Sequence, residues 1–123
     1  MTTEIYNNFN RTITIDNERD RKLTRFAKQT LKDRYLWTDE TFQQMFARVA
    51  AVNSDDDAHA QRLYDYISNL WFMPATPVLS NSGSKKNLTI SCFLNQMGDS
   101  LSEIFETQLE NKWLASRCGG IGT

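Results

Sequence analysis

The sequence predicts a mainly α-helical chain in which one short strand follows a long polar loop. Three stretches between about residues 18 and 71 carry apolar side chains at the three- and four-residue spacing of amphipathic helices. Residues 73–88 contain both prolines of the chain and many small polar residues, which predicts a loop. The predicted order is therefore helix, helix, helix, loop, strand, helix, loop.

Composition excludes several classes of protein. With 40% hydrophobic and 24% charged residues, the chain resembles ordinary globular domains rather than disordered or collagen-like proteins. The net charge of −1 is spread without a basic face, which argues against a nucleic-acid duplex as the partner. Residues 1–10 lack the apolar run of a signal peptide, and no segment approaches the ~20 apolar residues of a membrane span. We expect a cytoplasmic protein without membrane association.

The residue types that bind metals are sparse and badly spaced. Cys92 and Cys118 do not form a CxxC pair, and the single histidine, His59, is far from both in sequence, so no zinc site is predicted. The acidic run 55–57 lacks the spaced ligands and central glycine of a calcium loop. Because nothing indicates secretion, we expect free or catalytic thiols rather than a structural disulfide.

The first half predicts three helices after an extended lead-in over residues 1–17, in which residues 12–15 could form a strand. The first helix runs from about Glu18 to Tyr35 or Leu36, and Thr38 is predicted to cap the second. The run 53–57 should end the second helix and cap the third. The faces predicted to be buried are Leu23, Phe26, Ala27, Thr30 and Leu31; then Phe42, Met45, Phe46, Val49 and Ala50; then Ala60, Leu63, Tyr64, Ile67 and Trp71.

The second half predicts a strand and a capped helix. Residues 89–94 are β-branched and apolar, and since neither face is polar, a buried strand is expected whose sheet partners lie outside the chain. Ser100 and Glu103 have the spacing of a capping box, with Asp99 adding negative charge at the helix start. The helix ends in the glycine-rich segment 117–123.

Taken singly, the residues of this half do not define a site. A cysteine on a buried strand, as Cys92 is predicted to be, is usually a small apolar core residue. Glycines such as Gly119 and Gly120 allow close approach of a ligand, but they also serve any tight turn. The glycine segment follows a helix, so it is not a dinucleotide-binding fingerprint.

Together, five separated motifs resemble the catalytic subunit of ribonucleotide reductase in order and spacing. The motifs are Phe72–Gly83, Ile90–Leu94, Gly98–Leu101, Trp113–Arg117 and Gly119–Thr123. Residues 32–36 and 45–50 also resemble the helical N-terminal region of that family, so the resemblance covers about residues 20–123. It implies the ten-stranded α/β barrel of ribonucleotide reductase. Residues 1–72 would be its helical N-terminal region, and residues 73–123 the start of the barrel.

The resemblance implies a reaction of the ribonucleoside-diphosphate reductase type. In this family a thiyl radical removes the 3′ hydrogen of a ribonucleotide, and a pair of cysteines reduces the 2′ carbon, giving water and a disulfide. Cys92 matches one member of that pair. A thiol can supply both the proton and the electron, and a buried site protects radicals from water. Thr76, Ser91, Gly119 and Gly120 match positions that cradle the substrate.

The resemblance also implies allosteric control at a dimer interface. Asp99 and Ser100 fall at the specificity site, where a deoxynucleotide effector binds. The alternative is that Asp99 only caps the helix. Helix 101–117 is expected to pack against its symmetry mate in a homodimer, although its apolar residues could instead serve an internal core.

The expected partners follow from what the chain lacks. The radical-bearing cysteine and the second reducing cysteine are absent, so the chain should be inactive without the C-terminal remainder of the subunit. A split gene, an intein or a deliberate truncation would each explain this. The remainder would bring thioredoxin or glutaredoxin as reductant and a radical source elsewhere, either a metal-containing small subunit or adenosylcobalamin. No cofactor is expected on the chain itself, and no ATP-cone domain is predicted.

One position departs from the pattern, and one alternative function remains. Cys118 stands where the family has glycine, either as a tolerated substitution or as a thiol with a redox side role, and by position it is not the partner of Cys92. The alternative is a small helical interaction module with a structural cysteine and no activity.

Overall fold

The computed structural model describes residues 3–123, which form two compact units. The first unit ends at Thr89, and the second comprises Ile90–Thr123. Elements of the first unit are β1 (Thr3–Asn8), β2 (Arg11–Asp16), a 3-10 helix (Asn17–Lys22), α1 (Arg25–Arg34), α2 (Phe42–Val52), α3 (Asp57–Ser68) and α4 (Thr76–Asn81). Those of the second are β3 (Cys92–Leu94), α5 (Leu101–Ser116) and β4 (Gly120–Gly122).

An antiparallel hairpin opens the first unit. β1 pairs with β2 from Thr3 opposite Asp16 to Asn8 opposite Arg11. Phe9 and Asn10 both have positive φ, as in the two-residue turns that match the twist of a hairpin. The predicted strand at 12–15 is confirmed, but its partner β1 was missed because its sequence is largely polar.

Helices α2 and α3 pack with the hairpin to form the core. On α2, Met45 and Phe46 are fully buried, and Ile13 of the hairpin is buried among them. Tyr64 links all three elements, because its hydroxyl donates to Gln43 Oε1 at 2.7 Å and accepts from the Asp16 N–H at 2.9 Å. Burial raises the pKa of the Tyr64 phenol. The predicted buried faces of α2 and α3 are confirmed except that Phe42 and Leu63 are only partly buried and Trp71 is exposed.

Several predicted boundaries in the first unit are wrong. The first helix begins at Arg25 rather than Glu18, because Thr24 caps it by accepting from the Ala27 N–H. Residues 17–22 form a 3-10 helix instead. The cap of α2 is Thr41, which forms a capping box with Gln44, and not Thr38. The side-chain hydrogen bonds of Thr24 and Thr41, and not the apolar spacing, therefore determine where the two helices begin.

Two aromatic residues predicted to be buried are exposed. Phe26 is 81% exposed, because the face of α1 that reaches the core carries Leu31 and Ala27. Trp71 is 72% exposed, because α3 ends at Ser68 and the chain turns at Leu70, which has positive φ. The predicted loop 73–88 contains the short helix α4, with Pro77 in its first turn, where the missing N–H is tolerated.

In the second unit, β3 and β4 form a two-stranded parallel sheet. Cys92 lies opposite Gly120, and Leu94 opposite Gly122. The expectation that all partners of the strand lie outside the chain is therefore wrong. Cys92 and Leu94 are also exposed rather than buried, with Leu94 at 88%, and Phe93 is partly buried, because two strands of three residues and one helix cannot enclose the strand. β4 was missed because three glycine-rich residues predict a turn.

Candidate functional site

Three of the predicted site residues converge on the parallel pair of strands. Cys92 and Gly120 are register partners, and the Ser91 hydroxyl lies 3.5 Å from the Cys92 thiol sulfur. The Gly120 N–H donates to the Ser91 carbonyl oxygen at 2.6 Å. The fold of the second unit therefore places a thiol, a hydroxyl and a glycine backbone side by side.

Gly119 and Gly120 contribute space rather than free amide donors, because both N–H groups are bonded to backbone carbonyl oxygens. A Cβ at Gly120 would stand 3.7 Å from the Cys92 sulfur and 3.3 Å from the Ser91 carbonyl oxygen, so a larger side chain would cover the thiol. Because the Gly120 N–H is already bonded to the Ser91 carbonyl oxygen, it is not a free donor for a substrate. A Cβ at Gly119 would meet the Phe93 ring at 2.6 Å, so glycine is needed there for packing.

Both Cys92 and Ser91 are exposed in the second unit, contrary to the prediction of a buried thiol. The reason is the small size of the layer around them, since α5 is the only helix of this unit. An accessible thiol beside a hydroxyl can donate a proton, and it can form a disulfide with a second thiol.

A polar cluster that the sequence did not reveal fixes the other end of the two strands. The Asn95 N–H donates to the Gly122 carbonyl oxygen at 3.1 Å, which extends the ladder by one bond. The Asn95 side chain accepts from the Thr123 hydroxyl at 2.9 Å and donates to Asn111 on α5. This cluster ties the glycine strand to both β3 and α5, and so sets the position of Gly120.

At the start of α5, Ser100 and not Asp99 is the cap. Ser100 Oγ accepts from the Glu103 N–H at 3.2 Å, and the Glu103 carboxylate accepts from the Ser100 N–H at 3.1 Å, which confirms the predicted capping box. Hydrogen bonds from the Ser100 side chain and backbone lower the pKa of Glu103. Gly98 makes room, since a Cβ there would lie 2.5 Å from the Glu103 carboxyl group. Asp99 is exposed and takes no part in this cap.

The outer face of α5 carries an apolar stripe. Its members recur every four residues and are all more than half exposed: Leu101, Phe105, Leu109 and Trp113. Thr107 faces inward and is buried, with its hydroxyl donating to the Gln96 carbonyl oxygen. The stripe is therefore a surface of this unit and not part of an internal core.

Thr76 lies in the first unit. It is the first residue of α4 and is exposed. Its Oγ1 is 2.9 Å from the Tyr35 hydroxyl. Ser91, Cys92 and Gly120 are thus brought together within one unit, while Thr76 belongs to the other.

Cys118 occupies a backbone position that suits glycine. The Cys118 N–H donates to Ala115 and the Gly119 N–H to Leu114, which is the Schellman arrangement at a helix end. Cys118 has a φ of +62°, in the left-handed region that side chains disfavour. The left-handed backbone at the end of α5 therefore accounts for the glycine that the family resemblance predicts at position 118.

We expect Cys118→Gly to stabilise the end of α5 by about 0.5–1 kcal/mol, because the relief of left-handed strain exceeds the entropy cost of glycine. Amide hydrogen exchange of residues 114–116 should slow accordingly. Cys118→Ala is the matched control, since it removes the thiol but keeps the strain, and exchange should stay at the wild-type rate. Equal protection in both variants would show that the thiol and not the backbone matters.

Neither a metal site nor a membrane span is found in the described part of the chain. Among residues 3–123, no group of three or more His, Cys, Asp or Glu side chains could hold a metal ion. No helix within this range is long and apolar enough to cross a membrane.

Comparison with known proteins identifies relatives for most of the chain. Residues 21–87 match the family model described as "Ribonucleotide reductase, all-alpha domain". The ribonucleoside-diphosphate reductase large subunit of Invertebrate iridescent virus 3 is 40% identical over 112 residues, covering 89% of this chain and 18% of the relative. The large subunit of Acanthamoeba polyphaga mimivirus is 38% identical over 121 residues, covering 92% of this chain and 14% of the relative. The alpha subunit of Chlamydia pneumoniae is 33% identical over 118 residues, covering 88% of this chain and 11% of the relative. The chain thus spans less than a fifth of the length of these curated relatives.

Proposed function

The chain belongs to the ribonucleotide reductase large-subunit family, and from this premise we propose that it supplies one redox cysteine, Cys92, to ribonucleotide reduction. The observation that carries the proposal is the convergence of Cys92, Ser91 and Gly120 on two paired strands. In the complete subunit these strands would begin the ten-stranded α/β barrel, and further strands and helices would bury the thiol that is exposed in this unit.

In the proposed reaction, a thiyl radical elsewhere removes the 3′ hydrogen of a ribonucleotide and returns it at the end, and between these steps two thiols reduce the 2′ carbon. The 2′ hydroxyl leaves as water, the two thiols give up two electrons and two protons, and a disulfide forms. Cys92 is one of these thiols, and the remainder of the subunit supplies the other. The Ser91 hydroxyl, beside the sulfur, is suited to hydrogen-bond a ribose hydroxyl or phosphate oxygen. Gly120 keeps the approach to the thiol open, and Gly119 leaves room for the Phe93 ring.

The part of the first unit before residue 73 would then be the helical region that supports the substrate loop, and residues 73–89 of the same unit would belong to that loop. We assign residues 1–72 to this helical region and residues 73–123 to the start of the catalytic barrel. Thr76, exposed at the start of α4, is the proposed substrate contact in the first unit.

We also propose that α5 forms the homodimer interface and the effector site. The exposed stripe with Phe105 and Trp113 supports the interface, since such apolar patches mark contact surfaces. Asp99 supports the effector site, because its carboxylate is not used in the helix cap and can accept a hydrogen bond from a deoxynucleotide sugar. Ser100, the next residue, holds the start of α5 in place through its capping box with Glu103.

The partners in this account are the C-terminal remainder of the subunit, a radical source outside this chain, and thioredoxin or glutaredoxin. The radical source would be a small subunit or adenosylcobalamin. A cytoplasmic location fits a cysteine pair that must be returned to the thiol state after each turnover.

Reconstitution tests this function. The chain is mixed with the remainder of the subunit, the radical source and thioredoxin, and the conversion of ribonucleoside diphosphates to deoxyribonucleotides is measured. We expect turnover in the mixture and none with either polypeptide alone. A stable complex without any turnover would favour the interaction-module alternative.

A further inference from the structure

We propose that Tyr35 is a positioning residue for Thr76, holding its hydroxyl in the orientation that contacts a ribonucleotide. The inference rests on the proposed function, in which Thr76 binds substrate. Its basis is the 2.9 Å hydrogen bond between the Tyr35 hydroxyl and Thr76 Oγ1, which joins residues 41 positions apart in sequence.

Tyr35 is itself held in place. It lies at the C-terminal end of α1, and its backbone N–H donates to the Leu31 carbonyl oxygen at 2.9 Å. Its ring is half-buried and packs against the hydrophobic core. The position of its hydroxyl is therefore set by the core of the first unit, so it can act as a fixed reference for Thr76.

Helix α4 depends on such contacts because it has little stability of its own. It is only six residues long, and Ala75 at its start provides no side-chain cap. Anchors also hold its other end. Trp37 Nε1 donates to the Ser80 carbonyl oxygen at 3.0 Å, and Arg48 Nη1 donates to the Ser82 carbonyl oxygen at 2.9 Å. Tyr35 is the anchor that acts on the proposed substrate contact directly.

The hydrogen-bond capacities of the two hydroxyls explain how the orientation helps. A threonine hydroxyl can accept two hydrogen bonds and donate one, and a tyrosine hydroxyl can donate one. With Tyr35 donating, Thr76 keeps its own hydrogen free for a ribose or phosphate oxygen. A groove of about 530 Å³ in the first unit, lined by both residues, leaves room for that bond.

A double-mutant cycle in the reconstituted enzyme tests this inference, with Tyr35→Phe, Thr76→Val and the double variant. We expect Tyr35→Phe to raise the KM for the ribonucleoside diphosphate about 3- to 10-fold, as expected for the loss of one hydrogen bond, with kcat within about twofold. Thr76→Val should raise KM at least as much, and the double variant should be no worse than Thr76→Val alone. Tyr66→Phe is the matched control, since this exposed ring lies at a tilt of 42° against Trp71, with ring centres 5.9 Å apart, and should leave KM unchanged.

The outcomes separate the inference from the function on which it rests. If Thr76→Val raises KM while Tyr35→Phe does not, the positioning role is wrong. Independent, additive effects of the two substitutions would also overturn it. A fall in thermal stability of Tyr35→Phe with an unchanged KM would make Tyr35 purely structural. If the wild-type assembly reduces no ribonucleotide, the proposed function itself fails, and the inference with it.

Discussion

Replacing Arg48 with methionine should lower the free energy of unfolding of the first unit by about 3–5 kcal/mol, the usual cost of removing one partner of a buried ion pair. The Arg48 side chain is 1% exposed and that of Glu40 is 10% exposed. Two bonds join them, Nε to Oε1 at 2.7 Å and Nη2 to Oε2 at 3.1 Å. The substitution would leave the Glu40 carboxylate with the Trp37 N–H as its donor, at 3.1 Å, and would remove the Arg48 donor of the Ser82 carbonyl oxygen.

Methionine keeps much of the apolar volume of arginine, so the loss reports the charge and its hydrogen bonds more than a cavity. The guanidinium also lies 4.0 Å from the centre of the Trp37 ring, and this cation–π contact would disappear too. Urea unfolding of the full chain, followed by far-UV circular dichroism, measures the change. Arg62→Met, the same substitution on the exposed side of α3, should change stability by less than about 0.5 kcal/mol. Similar small losses at both sites would contradict the role of the buried pair.

Replacing Cys92 with serine should reduce the kcat of the reconstituted enzyme by at least about 1,000-fold, as expected when one member of a catalytic unit is removed. Serine nearly matches cysteine in size and can still donate a hydrogen bond to the 2′ hydroxyl. It cannot form a disulfide, so it cannot deliver the electrons that the reaction needs. Because the two strands keep their backbone pairing, substrate affinity should change little.

Cys118→Ser is the matched control for this loss, since it removes the other thiol of the chain. Cys118 lies at the end of α5, and we give it no part in the reduction. Turnover should therefore stay within about twofold of the wild type, the range typical of surface substitutions away from a site. Full activity of Cys92→Ser with thioredoxin as reductant would remove Cys92 from the mechanism.

The sequence predicted best those parts of the fold that local patterns determine. Helices α2 and α3 carry regular apolar spacing and side-chain caps, so their existence and buried faces were predictable. Phe26 and Trp71 have similar spacing but are exposed, because the end of α3 and the rotation of α1 decide which side chains reach the core. β4 has no strand signal of its own, since its pairing depends on β3, whose residues lie 28 positions earlier than their partners.

The candidate site, too, was predictable from the sequence only in part. Ser91, Cys92 and Gly120 were proposed from motifs in register, and the paired strands place them together. Tyr35 and Asn95 could not be predicted as residues of the site from the sequence, because each acts through a side-chain hydrogen bond to a residue far along the chain. No local spacing marks such a residue, so only the folded structure identifies it.

The most direct test of the central claim follows the Cys92 thiol through a single turnover. The reconstituted enzyme, prereduced and freed of thioredoxin, is given ribonucleoside diphosphate, quenched, alkylated and analysed by peptide mass spectrometry. We predict that the fraction of Cys92 labelled by the alkylating reagent falls in proportion to the deoxyribonucleotide formed, because Cys92 is then in a disulfide with a cysteine of the remainder. Cys118 should remain fully labelled. Formation of deoxyribonucleotide with Cys92 still fully alkylated would contradict the claim that Cys92 is a redox cysteine.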